Sequence, residues 1–128
     1  MRNRERVVVT GMGVLAPNGT GLKAFWKSLV AGESGVGPIT LFDSSSFKSR
    51  IAGEVKNFDP CDYIAASLKP RRLSRCTQLA FAATQLALKN SRMDRSQLSD
   101  ASTGPLPIVL GVGTSAMDIL QTGFDSLR

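Results

Sequence analysis

The segment Arg6 to Gly19, RVVVTGMGVLAPNG, constrains the fold of this chain most, because an apolar β-branched run passes into a glycine-rich turn that opens no helix. Val7, Val8 and Val9 suit a strand covered on both faces. Gly11-Met12-Gly13-Val14-Leu15-Ala16 has the G-x-G-x-x-A spacing of dinucleotide-binding turns. That spacing holds a pyrophosphate only when a helix starts directly behind it, with its free N–H groups aimed at the anion. Here Pro17-Asn18-Gly19-Thr20-Gly21 intervenes, and these turn formers keep the chain irregular to about Leu22. Gly11 and Gly13 are therefore read as a structural corner, where the missing Cβ lets two stretches of backbone approach closely.

Behind the corner, Leu22, Phe25, Trp26, Leu29 and Val30 recur at helical spacing, which predicts a helix of about three turns packed on a sheet. Thr20 is its expected cap and Gly32 its expected end, with Phe25 and Trp26 in the core. Gly35 to Asp59 reads as turns and short extended pieces, including a short strand within Ile51 to Val55. Asp59-Pro60 opens one or two helical turns before Pro70 interrupts them. A second helix is expected from about Arg72 to Lys89, alanine-rich enough to pack closely against neighbours on more than one side. Asn90 to Pro107 reads as a surface loop, after which Ile108-Val109-Leu110 and Gly111-x-Gly113 repeat the opening arrangement of strand into glycine turn. A helix with Ala116, Leu120, Phe124 and Leu127 on its apolar side follows, and its pattern runs to Arg128 without a Gly or Pro stop. The expectation is a fold that continues beyond these residues.

Composition removes several function classes. The 128 residues contain no histidine, so no Ser-His or Cys-His nucleophile pair and no imidazole acid or base forms within them. Cys61 and Cys76 make no disulfide framework and point to a reducing compartment, with Cys76 on an apolar helical stripe as a structural thiol. No apolar run approaches a membrane span and no signal-peptide core follows Met1, so a cytoplasmic protein without membrane partners is expected. Neither a metal nor another cofactor is expected, since carboxylates and thiols do not cluster. The net charge of +6 is concentrated: from Tyr63 to Met93 there is no Asp or Glu, while Lys69, Arg71, Arg72, Arg75, Lys89 and Arg92 supply six cations. A solvated face is one reading of that segment and a docking face for an acidic partner is another. A nucleic-acid-binding module is disfavoured because the basic cluster lacks interleaved aromatics and any recognised motif.

Five ordered stretches carry a family resemblance: RVVVTGMGVLAPNG at Arg6 to Gly19, FWKSLVAGESGVGPITLFD at Phe25 to Asp43, RIAGEVKNFDPCDY at Arg50 to Tyr63, RRLSRCTQLAFAA at Arg71 to Ala83, and GVGTSAMD at Gly111 to Asp118. The chain resembles the N-terminal part of the β-ketoacyl-acyl-carrier-protein synthases, nearest to the elongating condensing enzymes of type II fatty acid synthesis. The resemblance implies an α/β chain that is an incomplete N-terminal half of a thiolase-like, layered α/β/α/β/α fold, with residues 1–128 forming part of one ketosynthase domain. It implies decarboxylative condensation of an acyl thioester with a malonyl-carrier protein, in an enzyme that pairs as a homodimer. Family members use a cysteine nucleophile on a strand-to-helix elbow and two histidines. All three fall outside the matched stretches, so the chain alone is expected to be inactive. A ketosynthase-like chain-length partner of a polyketide synthase is the alternative within the family.

The same resemblance places two local functions here. Arg71 and Arg72, with Lys69 beside them, correspond to a basic patch that meets the acidic acyl carrier protein. Thr114 takes the position of the residue that gates the acyl pocket, where the family pattern has a large apolar side chain.

Overall fold

The computed structural model describes residues 6–93, 107–113 and 116–126. Pro17-Asn18 turns the chain between β1 (Leu15–Ala16) and β2 (Gly19–Thr20), an antiparallel pair in which Leu15 faces Thr20 and Ala16 faces Gly19. Helix α1 (Leu22–Val30) begins at Gly21, with no side-chain cap. Thr20, the expected cap, is still paired in the hairpin and is one residue too early for that role. The helix ends as expected at Gly32, whose φ of 68° allows the Gly32 and Glu33 N–H groups to donate to the Leu29 and Ser28 carbonyls at 3.1 and 2.9 Å.

A second antiparallel pair joins β3 (Val36–Pro38) to β4 (Ile51–Gly53), so the short strand expected after Ile51 is present. Glu54, at the end of β4, is buried and clamps the intervening loop. Its carboxylate accepts from Thr40 N–H at 3.0 Å, from the Thr40 hydroxyl at 2.7 Å and from Leu41 N–H at 3.2 Å. The Thr40 hydroxyl, then its N–H, hold the Glu54 pKa below the usual value.

Three 3-10 turns follow, Pro60–Asp62, Ala66–Leu68 and Pro70–Arg72, leading into α2 (Arg75–Ser91). Asp59 starts the first turn by accepting from Cys61 N–H at 2.9 Å, with Pro60 at the first position where no N–H is needed. Helix α2 starts three residues later than the sequence pattern indicates, because Ser74 takes the cap: its hydroxyl accepts from Thr77 N–H at 3.3 Å. Ser74, Gln78 and Ala82, at four-residue spacing, bury one face of α2 near Ile64, Pro60 and Pro70. The Gln78 carboxamide donates to the Pro70 and Leu73 carbonyls at 3.1 and 3.0 Å, tying helix to turn. Helix α3 (Met117–Asp125) closes the described chain.

Another face of α2 receives the glycine corner. A Cβ at Gly13 would meet the Ala83 carbonyl oxygen and, at 2.7 Å, the Ala87 nitrogen; one at Gly11 would meet the Ala87 carbonyl oxygen and, at 2.6 Å, the Ser91 Cβ. Met12 N–H also donates to Asn90 Oδ1 at 3.0 Å. The corner is thus a close helix contact, with the Met12 N–H engaged by α2.

Two expectations about the core are corrected. Val7, Val8 and Val9 form no strand and pair with none among the described residues, leaving Val7 96% exposed. Trp26 is 66% exposed, with Leu29 and Val30 also outside. The reason is area: two strands of two residues cover Leu22 and Phe25 of α1 partly, and the apolar stripe is wider than the surface they offer. No helix among the described residues is long and apolar enough to cross a membrane.

Candidate functional site

Lys69, Arg71 and Arg72 come together around one open hollow of about 310 Å3, floored by Cys61, Ile64, Ala66 and Pro70. Local geometry produces this grouping. Lys69 adopts a left-handed backbone (φ 49°) at the joint between two 3-10 turns, its N–H donating back to Ala66 and its carbonyl accepting from Arg72 N–H at 2.8 Å. Lys69 and Arg72 therefore flank a single tight turn, three residues apart. Pro70 between them is buried, and the three cations are exposed. The floor is mainly apolar and the rim basic, an arrangement suited to an acidic surface with small apolar contacts at its centre.

The three cations are not equivalent. The Arg71 guanidinium donates from Nη2 to Asp59 Oδ2 at 2.8 Å, with the side chains 72% and 45% exposed. No ion pair among the described residues engages Lys69 or Arg72. Arg75, next along the basic run, is turned inward: its guanidinium donates to the Val55 carbonyl at 3.0 Å and lies 4.5 Å from the centre of the Phe58 ring, which stacks on Tyr63. The later start of α2 also puts Arg71 and Arg72 outside its first turn, so helix-dipole repulsion falls on Arg75 rather than on them.

The Cys61 thiol is not prepared for nucleophilic work. Asp59, by its hydrogen bond and its charge, and burial push the Cys61 thiol pKa above its ordinary value. The same carboxylate is kept below its usual range, first by the Cys61 N–H and further by Arg71. Cys76 is half-buried on α2. Among the described residues no group of three or more Cys, Asp or Glu could hold a metal ion.

A second concavity, of about 420 Å3, lies between α2 and the segment 107–113, which forms no strand; the concavity is lined by Cys76, Ala80, Phe81, Ile108, Leu110 and Val112 among others. It is lined mainly by apolar side chains. Thr114 lies outside the described residues, two positions before Ala116 on the wall of that groove. The sequence shows the run of cations but not their division into paired and unpaired members. Asp59 is legible as the start of a turn, while its reach to Arg71, twelve residues on, is set by how the 3-10 turns stack.

Comparison with known proteins adds to this geometry. Residues 4–124 match the family described as "Beta-ketoacyl synthase, N-terminal domain". The chain is 44% identical over 114 residues to the tetracenomycin polyketide synthase ketoacyl synthase alpha subunit of Streptomyces glaucescens, covering 87% of this chain and 25% of that protein. It is 35% identical over 125 residues to 3-oxoacyl-[acyl-carrier-protein] synthase 2 of Vibrio cholerae, covering 98% of this chain and 29% of that one. Among solved structures, the ishigamide ketosynthase/chain length factor superposes with a TM-score of 0.62 at 34% identity, over 71% of this chain and 22% of that chain. Fold and sequence together define part of a thiolase-like α/β protein. More narrowly, the chain belongs to the β-ketoacyl synthase family, in its N-terminal domain. It spans less than a third of the length of the curated relatives named above.

Proposed function

We propose that these residues form the carrier-docking part of a 3-oxoacyl-acyl-carrier-protein synthase, which lengthens an acyl chain by decarboxylative condensation with a malonyl-carrier protein in fatty acid biosynthesis. Residues 1–128 would then be one part of a single ketosynthase domain, in a protein that pairs as a homodimer. The observation that carries the reading is the convergence of Lys69, Arg71 and Arg72 on one exposed hollow, in a chain whose family match spans residues 4–124. Three cations on a rim attract an acidic carrier at a distance and fix its register on contact. The apolar groove beside α2 would supply part of the wall along the acyl chain, and the gating role of Thr114 rests on the family resemblance alone.

Condensation needs an acyl-accepting thiolate and donors that hold the developing oxyanion. This chain has no histidine, and its exposed Cys61 has a raised thiol pKa. Its own residues therefore bind and position, and the 128-residue chain is expected to yield no ketoacyl product from carrier thioesters and malonyl donor. Product above background would contradict that division of labour.

The docking reading is tested with the full-length protein and acyl carrier protein. Arg71→Glu with Arg72→Glu should weaken carrier binding by about tenfold or more at low salt, and by less as salt rises. Unchanged affinity at low salt would remove the reading.

The likeness to a ketosynthase/chain length factor favours one further reading, a chain-length partner in polyketide assembly. Labelling the full-length protein with an acyl thioester separates the two. An acyl-cysteine adduct identifies a condensing enzyme, and a full-length protein that takes no acyl label is the chain-length partner.

A further inference from the structure

One carboxylate is bonded directly to a cation of the docking face. Residues 63–93 hold no Asp or Glu, yet the fold brings Asp59 into that basic stretch from outside it. Its position is fixed at both oxygens: Oδ1 accepts from Cys61 N–H at 2.9 Å and Oδ2 from Arg71 Nη2 at 2.8 Å. A carboxylate that caps a turn cannot swing away without uncapping it, so the negative charge stays beside Arg71 when a partner approaches.

Resting on the docking reading above, we propose that Asp59 is an internal competitor at this face: it occupies Arg71 as a partner's carboxylate would, and so limits how tightly an acidic carrier binds. Arg71 engages Asp59 through Nη2 and is otherwise largely exposed, so a second carboxylate can still reach its remaining N–H donors. On arrival it meets a like charge one guanidinium away, which offsets part of the attraction. Lys69 and Arg72 carry no such counter-charge among the described residues and present their full charge. The face thus has two strong cations and one attenuated one. A carrier that must leave after each transfer is served by attraction strong enough to orient it and too weak to retain it.

Asp59→Asn tests this in the full-length protein, with acyl carrier protein bearing no acyl group as the probe. Asparagine caps as well as aspartate does, so the turn is kept and only the charge is removed. An unchanged unfolding midpoint verifies that, and Asp59→Ser, a second capping residue without charge, must reproduce the binding result. Carrier affinity should rise about threefold to tenfold at low salt and converge on the parent value at high salt. In an Arg71→Ala background the gain should shrink, since there is no guanidinium left to release. Unchanged or weaker binding by Asp59→Asn overturns the proposal, as does an equal gain in both backgrounds, which would leave a general charge effect. If the Arg71→Glu, Arg72→Glu variant weakens binding while Asp59→Asn does not strengthen it, this inference falls and the docking reading stands. If neither changes affinity, the docking reading falls with it.

Discussion

Two stretches of this chain have nearly the same sequence and opposite surroundings. Gly11-x-Gly13, after three valines, lies against the backbone of α2 so closely that no Cβ fits at either glycine. Gly111-x-Gly113, after Ile108-Val109-Leu110, has nothing within 4 Å of where a Cβ would stand. Glycine spacing therefore marks where close approach is possible, and the facing surface decides whether it occurs. For the first motif that surface is the Ala83, Ala87, Ser91 row of α2, small residues at four-residue spacing. For the second, among the described residues, there is none.

The largest expected effect is at Gly13. Gly13→Ala puts a methyl into the Ala83 carbonyl and within 2.7 Å of the Ala87 nitrogen, both backbone atoms that cannot rotate aside. Unfolding of the full-length protein by urea should show a loss of about 3 kcal/mol. A loss no larger than that of Gly113→Ala would erase the contrast between the motifs.

The next effect concerns the hairpin that packs on Pro17, a few residues after the first motif. Gly35 lies against the Pro17 side chain, where a Cβ would be 2.7 Å from Pro17 Cβ, and the hairpin carrying Gly35 and Gly53 is held by the Glu54 clamp. Because the folded-state pKa of Glu54 is lowered, the clamp contributes fully above the ordinary value of 4.5 and is lost as pH falls through the folded value. Unfolding midpoints measured from pH 7 down through that range should fall for the parent protein and fall less for Glu54→Gln. Parallel pH profiles would show that the clamp adds nothing.

A smaller effect is expected from Asn90→Ala, which removes the acceptor for Met12 N–H and leaves that donor to water. About 1 kcal/mol should be lost. The same change in a Gly13→Ala background should be less than additive, because the corner would already be displaced from α2.

Some of this was readable from residues alone, for physical reasons that also explain what was not. The corner at Gly11 and Gly13 was legible because Pro17-Asn18-Gly19 is a local signal, and local signals survive folding. The helix end at Gly32 and the turn at Asp59-Pro60 were legible on the same ground. Thr20 was misread as a cap because its pairing with Leu15 depends on where the hairpin closes. Trp26 was misread as core because a helical stripe states which face is apolar and says nothing of what covers it. At the candidate site, the closeness of Lys69, Arg71 and Arg72 follows from sequence proximity. Their inequality follows from Asp59, whose contact with Arg71 needs the turns to stack.

The smallest expected effect tests the open motif and has the opposite sign. Neither Gly111 nor Gly113 has a positive φ, so an L-residue fits the backbone at both, and no atom stands where a methyl would go. Gly111→Ala then restricts the unfolded chain without straining the folded one, and should stabilise by about 0.4 to 1 kcal/mol. Measured in this chain and in a complete ketosynthase domain of the kind proposed above, this substitution reports on the surface that faces the second motif. A gain in both leaves the motif open in both settings. A gain in this chain with a loss in the complete domain would mean that a further element packs on Gly111 there as α2 packs on Gly13. The two motifs would then differ in what faces them and not in what they are built to do.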